Sequence, residues 1–131
     1  MTSRTRVLLL VLVTMAMGGA VLYAQAQKKP AIAYPEGYRK WIHVKSMVIF
    51  SKENKLFDRF GGMHNIYVNE IGWKAFRVGS SFPDGSIFVF DLYDVRTYMG
   101  TIEARGRKFL AVMKKNMKLY PDTGGWGFEV F

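Results

Sequence analysis

Beyond an unbroken apolar block at the N-terminus, apolar and polar positions alternate in short runs along this chain. Ile87 to Tyr93 is the clearest. Phe88, Phe90 and Leu92 fall on one face, Ile87, Val89 and Asp91 on the other, which is the period of a β-strand. Val44 to Ser51 reads the same way, with Val44, Ser46, Val48 and Phe50 together. His64 to Val68 is rich in β-formers, and Trp126 to Phe131 is a last short strand. Lys108 to Lys115 fits a strand best, although its pattern suits a helix nearly as well. Glu70 to Val78 has helical spacing, with Ile71, Lys74, Ala75 and Val78 in register and Gly79 as a C-cap. Pro35 and Glu36 suit the first turn of another short helix, ending near Trp41 or Ile42. Breaks fall at Ser51 to Asn54, at Phe60-Gly61-Gly62, and at Pro121 with Gly124-Gly125. Phe82-Pro83-Asp84-Gly85 is a turn, with Pro83 expected at the first central position. The chain is therefore expected to be α+β, an antiparallel sheet of about five strands with two or three short helices.

The apolar block changes where the domain begins. Arg4 and Arg6 precede the run Val7 to Met17, and Ala24-Gln25-Ala26 supplies the small residues that signal peptidase requires. Residues 1–26 are expected to be an export signal, 27–33 a tether, and 34–131 the domain, placed in the periplasm. Cleavage after Ala26 leaves 131 less 26, or 105, residues. The alternative is a retained anchor, since Val7 to Ala24 barely suffices to span a bilayer. A membrane partner is expected only in that case.

Charge and sulfur narrow the chemistry. Removing Arg4 and Arg6 from 19 basic residues leaves 17 against 10 acidic ones, a formal charge of +7. Arg105, Arg107, Lys108, Lys114, Lys115 and Lys118 are the densest basic stretch, read as a solvated face. No nucleic-acid partner is expected of an exported domain. There is no cysteine, which removes disulfides, thiolate metal sites and thioether attachment together. His43 and His64 stand outside any ligand-spaced cluster, so no metal site is expected, and His64 reads as a strand histidine hydrogen-bonded locally. No Ser/His/Asp set or phosphate loop is present, and no catalytic residue is assigned. Trp126, between glycines, is expected to anchor the C-terminal turn.

Five segments in order carry a resemblance. They are YPEGYRKW at Tyr34 to Trp41, HVKSMVI at His43 to Ile49, FGGMHNIYVNE at Phe60 to Glu70, FPDGSIFVFDL at Phe82 to Leu92, and TGGWGFEVF at Thr123 to Phe131. Together they resemble the cytochrome P460 family, which includes the cytochromes c′-beta. The resemblance implies an exported homodimer that carries haem c on a C-terminal Cys-x-x-Cys-His. It also implies that a small nitrogen compound, hydroxylamine or nitric oxide, is the ligand where haem is present. That motif is missing here, so the resemblance implies a chain truncated relative to the family, with no covalent haem of its own. By the same resemblance Phe90 occupies the position of the enzymes' haem-linked lysine, His64 that of a distal arginine, and Leu110 that of a pocket carboxylate. All three are distal-pocket positions only if haem is bound. Such a pocket resembles that of the gas-binding branch more than the oxidising one, and hydroxylamine oxidation is not expected. Two alternatives stay open: a haem-free binding or structural module, and an incomplete reading of an intact haem cytochrome.

Overall fold

The alternating segments become strands that pair strictly in chain order. The structure is a computed structural model describing residues 30–131. Its sheet runs β1 (Ile42–Ile49), β2 (Gly62–Val68), β3 (Ile87–Tyr98), β4 (Thr101–Lys115) and β5 (Trp126–Val130), with every neighbouring pair antiparallel. Two helices, α1 (Phe57–Phe60) and α2 (Glu70–Val78), and two 3₁₀ turns at Tyr38–Lys40 and Pro121–Thr123 accompany it. This is the expected α+β architecture. Ala24 and Ala26 of the signal lie outside the described residues. Among the described residues no helix is long and apolar enough to cross a membrane.

Local differences from the expectation have local causes. The first helix shrinks to one 3₁₀ turn because Gly37 sits at φ 69, where a right-handed helix cannot run back to Pro35. The turn before β3 spans Pro83 to Ser86, since the Ser86 amide donates to the Pro83 carbonyl at 3.1 Å. Pro83 is thus its first corner, and Gly85, at φ 87, supplies the left-handed position. Strands β3 and β4 run further than expected. Met99 (φ 46) and Gly100 (φ 80) form the two-residue hairpin loop between them, both left-handed as a type I′ turn requires. The outer ribbon is exposed on both sides at Arg96, Thr97 and Tyr98, so it has no apolar face for the sequence to display.

The helix α2 has the expected ends but a different buried face. Asn69 caps it, its Oδ1 accepting from the amides of Gly72 (3.0 Å) and Ile87 (3.1 Å) while its Nδ2 donates to the Gly85 carbonyl (2.8 Å). That one side chain joins the helix start to the start of β3. Burial comes from Gly72 and Ala75, whereas Ile71 and Val78 are 46% and 71% exposed. The reason is proximity: a Cβ on Gly72 would lie 2.6 Å from Val68, so only a residue without one can meet the sheet there.

The sheet has one closed and one open face. On the closed face Val89, Leu110 and Val112 are buried under Ile32, Tyr38 and Tyr120. Each such burial contributes about 1.5–3 kcal/mol. Ile32 belongs to the stretch read as tether, yet it lies in this core, so the ordered fold starts ahead of Tyr34. On the open face the register aligns Met47 with His64, Ile66 with Phe90, Phe90 with Ala111, and Ala111 with Val130. A bulge at Val44, between His43 and Lys45, resets β1 so that Met47 and Ile49 face this side. Phe50, expected on the strand, lies beyond it and is exposed.

Candidate functional site

The open face carries an apolar cleft of about 410 Å³. Met47 and Ile49 come from β1, His64 from β2, Phe90 from β3, Phe109 and Met113 from β4, and Phe128 and Val130 from β5. Leu56 and Phe60 close one side from the segment between β1 and β2. The position alternation that makes each strand also delivers these side chains to one face. The size suits a small-molecule site, and the lining is apolar apart from His64 and Glu129.

Of the three residues singled out by sequence, the structure brings two together. Phe90 is half-buried and lines the cleft rather than filling the core, while its neighbour Leu92 is fully buried. His64 is buried and also lines it, but its Nε2–H donates to the Phe60 carbonyl at 2.7 Å. The local hydrogen bond expected of a strand histidine is therefore present. Leu110 is not in the cleft. It pairs with Asp91 and is fully buried in the core of the opposite face, because successive residues of a strand point to opposite sides. Its neighbours Phe109 and Ala111 occupy the cleft instead. His43 lies away from His64, exposed, with Nε2 bonded to the Ser46 hydroxyl at 2.9 Å. Among the described residues no group of three His, Cys, Asp or Glu converges.

Sequence reasoning missed a polar hub on the closed face. Asp91 is 1% exposed, and its carboxylate accepts from Tyr38 Oη (2.5 Å), Tyr93 Oη (2.9 Å) and Arg107 Nε (2.8 Å). Arg39 Nη2 approaches at 3.5 Å and also donates to the Tyr93 hydroxyl. Tyr38 in turn accepts from Arg107 Nη2 at 2.6 Å. Burial, followed by the bond to Asp91, raises the Tyr38 pKa well above the usual tyrosine range, so the phenol stays a donor. The hydrogen bond with Tyr93, then Asp91, holds the Arg107 guanidinium more firmly protonated still. A carboxylate inside an apolar strand was the available signal. What alternation hides is Arg107: the register slips between Leu92 and Tyr93, Lys108 becomes the extra residue, and Arg107 turns to the Asp91 side.

The C-terminal turn is aromatic, as expected. Trp126 meets Phe82 and Phe88 at 5.7 Å and 6.1 Å, with the Lys115 ammonium over its ring at 5.3 Å.

The haem implied by the resemblance is tested by these residues in two ways. The apolar lining, with Phe90 and Phe109 on neighbouring strands, suits contact with a porphyrin. The attachments do not fit. The sequence offers no thiol for a thioether, and the cleft's histidine already uses Nε2 on Phe60. These residues thus supply a contact surface and not an anchor.

Comparison with known proteins agrees with the geometry. A family model described as Cytochrome P460 matches residues 35–131, nearly the whole described domain. No curated protein matches the chain. The meander sheet with its open apolar face and the match across it carry one conclusion: the chain belongs to the cytochrome P460 family, a haem-binding family.

Proposed function

We propose that this chain is an exported P460-family domain that receives a small uncharged nitrogen compound, of the nitric oxide class, on its apolar cleft. It does not attach haem covalently through its own residues, and it does not oxidise hydroxylamine. The carrying observation is a lining that is apolar apart from His64, which directs Nε2 into a backbone carbonyl, and Glu129, whose strand position pairs with the core residue Val112 on the other face. Oxidising hydroxylamine requires a base placed to remove protons, and a bound hydroxylamine needs partners for its N–H and O–H groups. Neither need is met by Phe90, Phe109 or Met113. When bound, haem supplies an iron site for such ligands.

The experiment is turnover of hydroxylamine with an electron acceptor by chain expressed to the periplasm with haem available, followed by acid-acetone extraction. No turnover is expected, and any Soret absorbance should leave with the solvent. Measurable turnover, or haem retained on the polypeptide, overturns the reading. A haem-free binding module is the second reading, favoured by the absence of any cysteine in the sequence. A chain that never acquires a Soret band yet still binds ligand supports it.

We also propose self-association along β5. Its outer edge pairs with no other strand among the described residues, and Phe128 and Val130 are each 61% exposed on it. Light scattering on a sizing column is expected to give a dimer, and F128K/V130K a monomer. A wild-type monomer at all concentrations counts against it.

A further inference from the structure

The wall of the cleft formed by Leu56 and Phe60 is held differently from the others. Between Ser51 and Phe60 no residue is buried. The hydrogen bonds of this segment are mostly its own: Asn54 to Ser51, Phe57 to Asn54, Phe60 to Leu56 and Gly61 to Phe57. It leaves the sheet after Ile49 and returns at Gly62, and these two residues pair with each other. It is therefore a self-bonded loop closed at its neck.

Three contacts fasten it to the sheet. His64 Nε2 donates to the Phe60 carbonyl at 2.7 Å, Lys108 Nζ donates to the Gly61 carbonyl at 2.8 Å, and the Phe60 ring meets Phe109 edge-on at 6.1 Å. Both polar contacts come from strand residues and reach adjacent carbonyls. Lys108 is the extra residue of the β4 bulge, the kind of position at which a sheet re-aims one side chain.

We propose that residues 51–61 are an access flap of the cleft and that His64 and Lys108 are its clasp. Both are positioning residues: they act on Phe60 and Gly61, and through them on how fast a small molecule enters and leaves. The proposal rests on the reading of the cleft as a ligand site. It gives His64 a function that leaves the cleft lining apolar, since the donor nitrogen is spent on the flap. It also gives a reason for Lys108 to leave the ladder.

The test uses the full chain with variants H64F, H64Q and K108M, the double variant H64F/K108M, and K118M at an exposed position away from the flap. One readout is hydrogen exchange of the 51–61 amides, supported by trypsin cleavage at Lys52, Lys55 and Arg59. The other is the entry and exit rate of Nile red, an uncharged apolar fluorophore. Losing one clasp bond is expected to raise flap exchange about fivefold, and losing both roughly twenty-fivefold. Nile red rates should rise in parallel. H64Q, which keeps an amide donor for the carbonyl, and K118M should stay near wild type. Unchanged flap exchange in H64F and K108M overturns the proposal. So does faster exchange with unchanged Nile red rates, and in that case the cleft reading survives. If Nile red does not bind at all, the cleft reading fails with it.

Discussion

Replacing Asp91 by Ala is expected to lower the stability of the domain by about 3–5 kcal/mol, the usual cost of breaking a buried ion pair by removing one partner. Asp91 is the one carboxylate that Tyr38, Tyr93 and Arg107 share, and it is 1% exposed. Without it the Arg107 guanidinium loses its charge partner, and two buried or half-buried phenols lose their acceptor. At about 4–8 °C per kcal/mol for a domain of this size, the melting temperature should fall by at least about 12 °C. A control separates burial from mere ion pairing. Arg96 and Glu103 approach to 2.7 Å, closer than Arg107 and Asp91, but their side chains are 58% and 41% exposed. R96A is therefore expected to cost less than about 1 kcal/mol. Thermal unfolding of the two variants reads the contrast, and equal losses would show that the Asp91 hub carries no special weight.

That hub also marks the limit of what the residues disclose before folding. Period-two alternation places Phe90 on the cleft side and Asp91 on the other, and it is right at both positions because β3 is regular from Ile87 to Leu92. Caps are equally local, so α2 starts at Glu70 and takes Gly79 as its C-cap, where its residues predict. Alternation fails wherever a bulge inserts one residue, since every side chain beyond it changes face. The bulge at Val44 sends Met47 and Ile49 to the cleft, and the one at Lys108 sends Arg107 to Asp91. Neither bulge leaves a mark in composition. The family resemblance covers the right span, yet its placement of a pocket carboxylate at Leu110 falls one residue from the cleft. In a strand that distance is the whole difference between core and site. The flap residues are missed for another reason. Leu56 and Phe60 form a wall only because the chain returns at Gly62, a tertiary fact.

Gly62 is where that return is made, and Gly62→Ala is expected to be among the most damaging single substitutions in the chain, costing more than about 4 kcal/mol. Two penalties coincide. Its φ is 129, in a region L residues avoid, and a Cβ would stand 2.1 Å from the Tyr93 carbonyl oxygen. The obstacle is backbone, so no rotamer change relieves it. Strands β2 and β3 must part instead, beside the Met63–Tyr93 pair and at the end of the sheet where the flap is clasped. Gly79→Ala carries a backbone penalty without the steric one. Gly79 has φ 65 with nothing within 4 Å of an added Cβ, so only the left-handed backbone resists, at about 1–2 kcal/mol. Urea unfolding of the two variants should therefore give a midpoint slightly below wild type for G79A and little or no folded protein for G62A. The same steric argument reaches the cleft. Gly62 sits two residues before His64 and one after Gly61, so strands forced apart here carry the His64 donor and the Gly61 carbonyl away from their partners. Whatever fraction of G62A folds should exchange its 51–61 amides as fast as H64F/K108M does. A G62A protein with wild-type stability and a slow-exchanging flap would mean that the close approach of β2 to Tyr93 does not govern this end of the molecule.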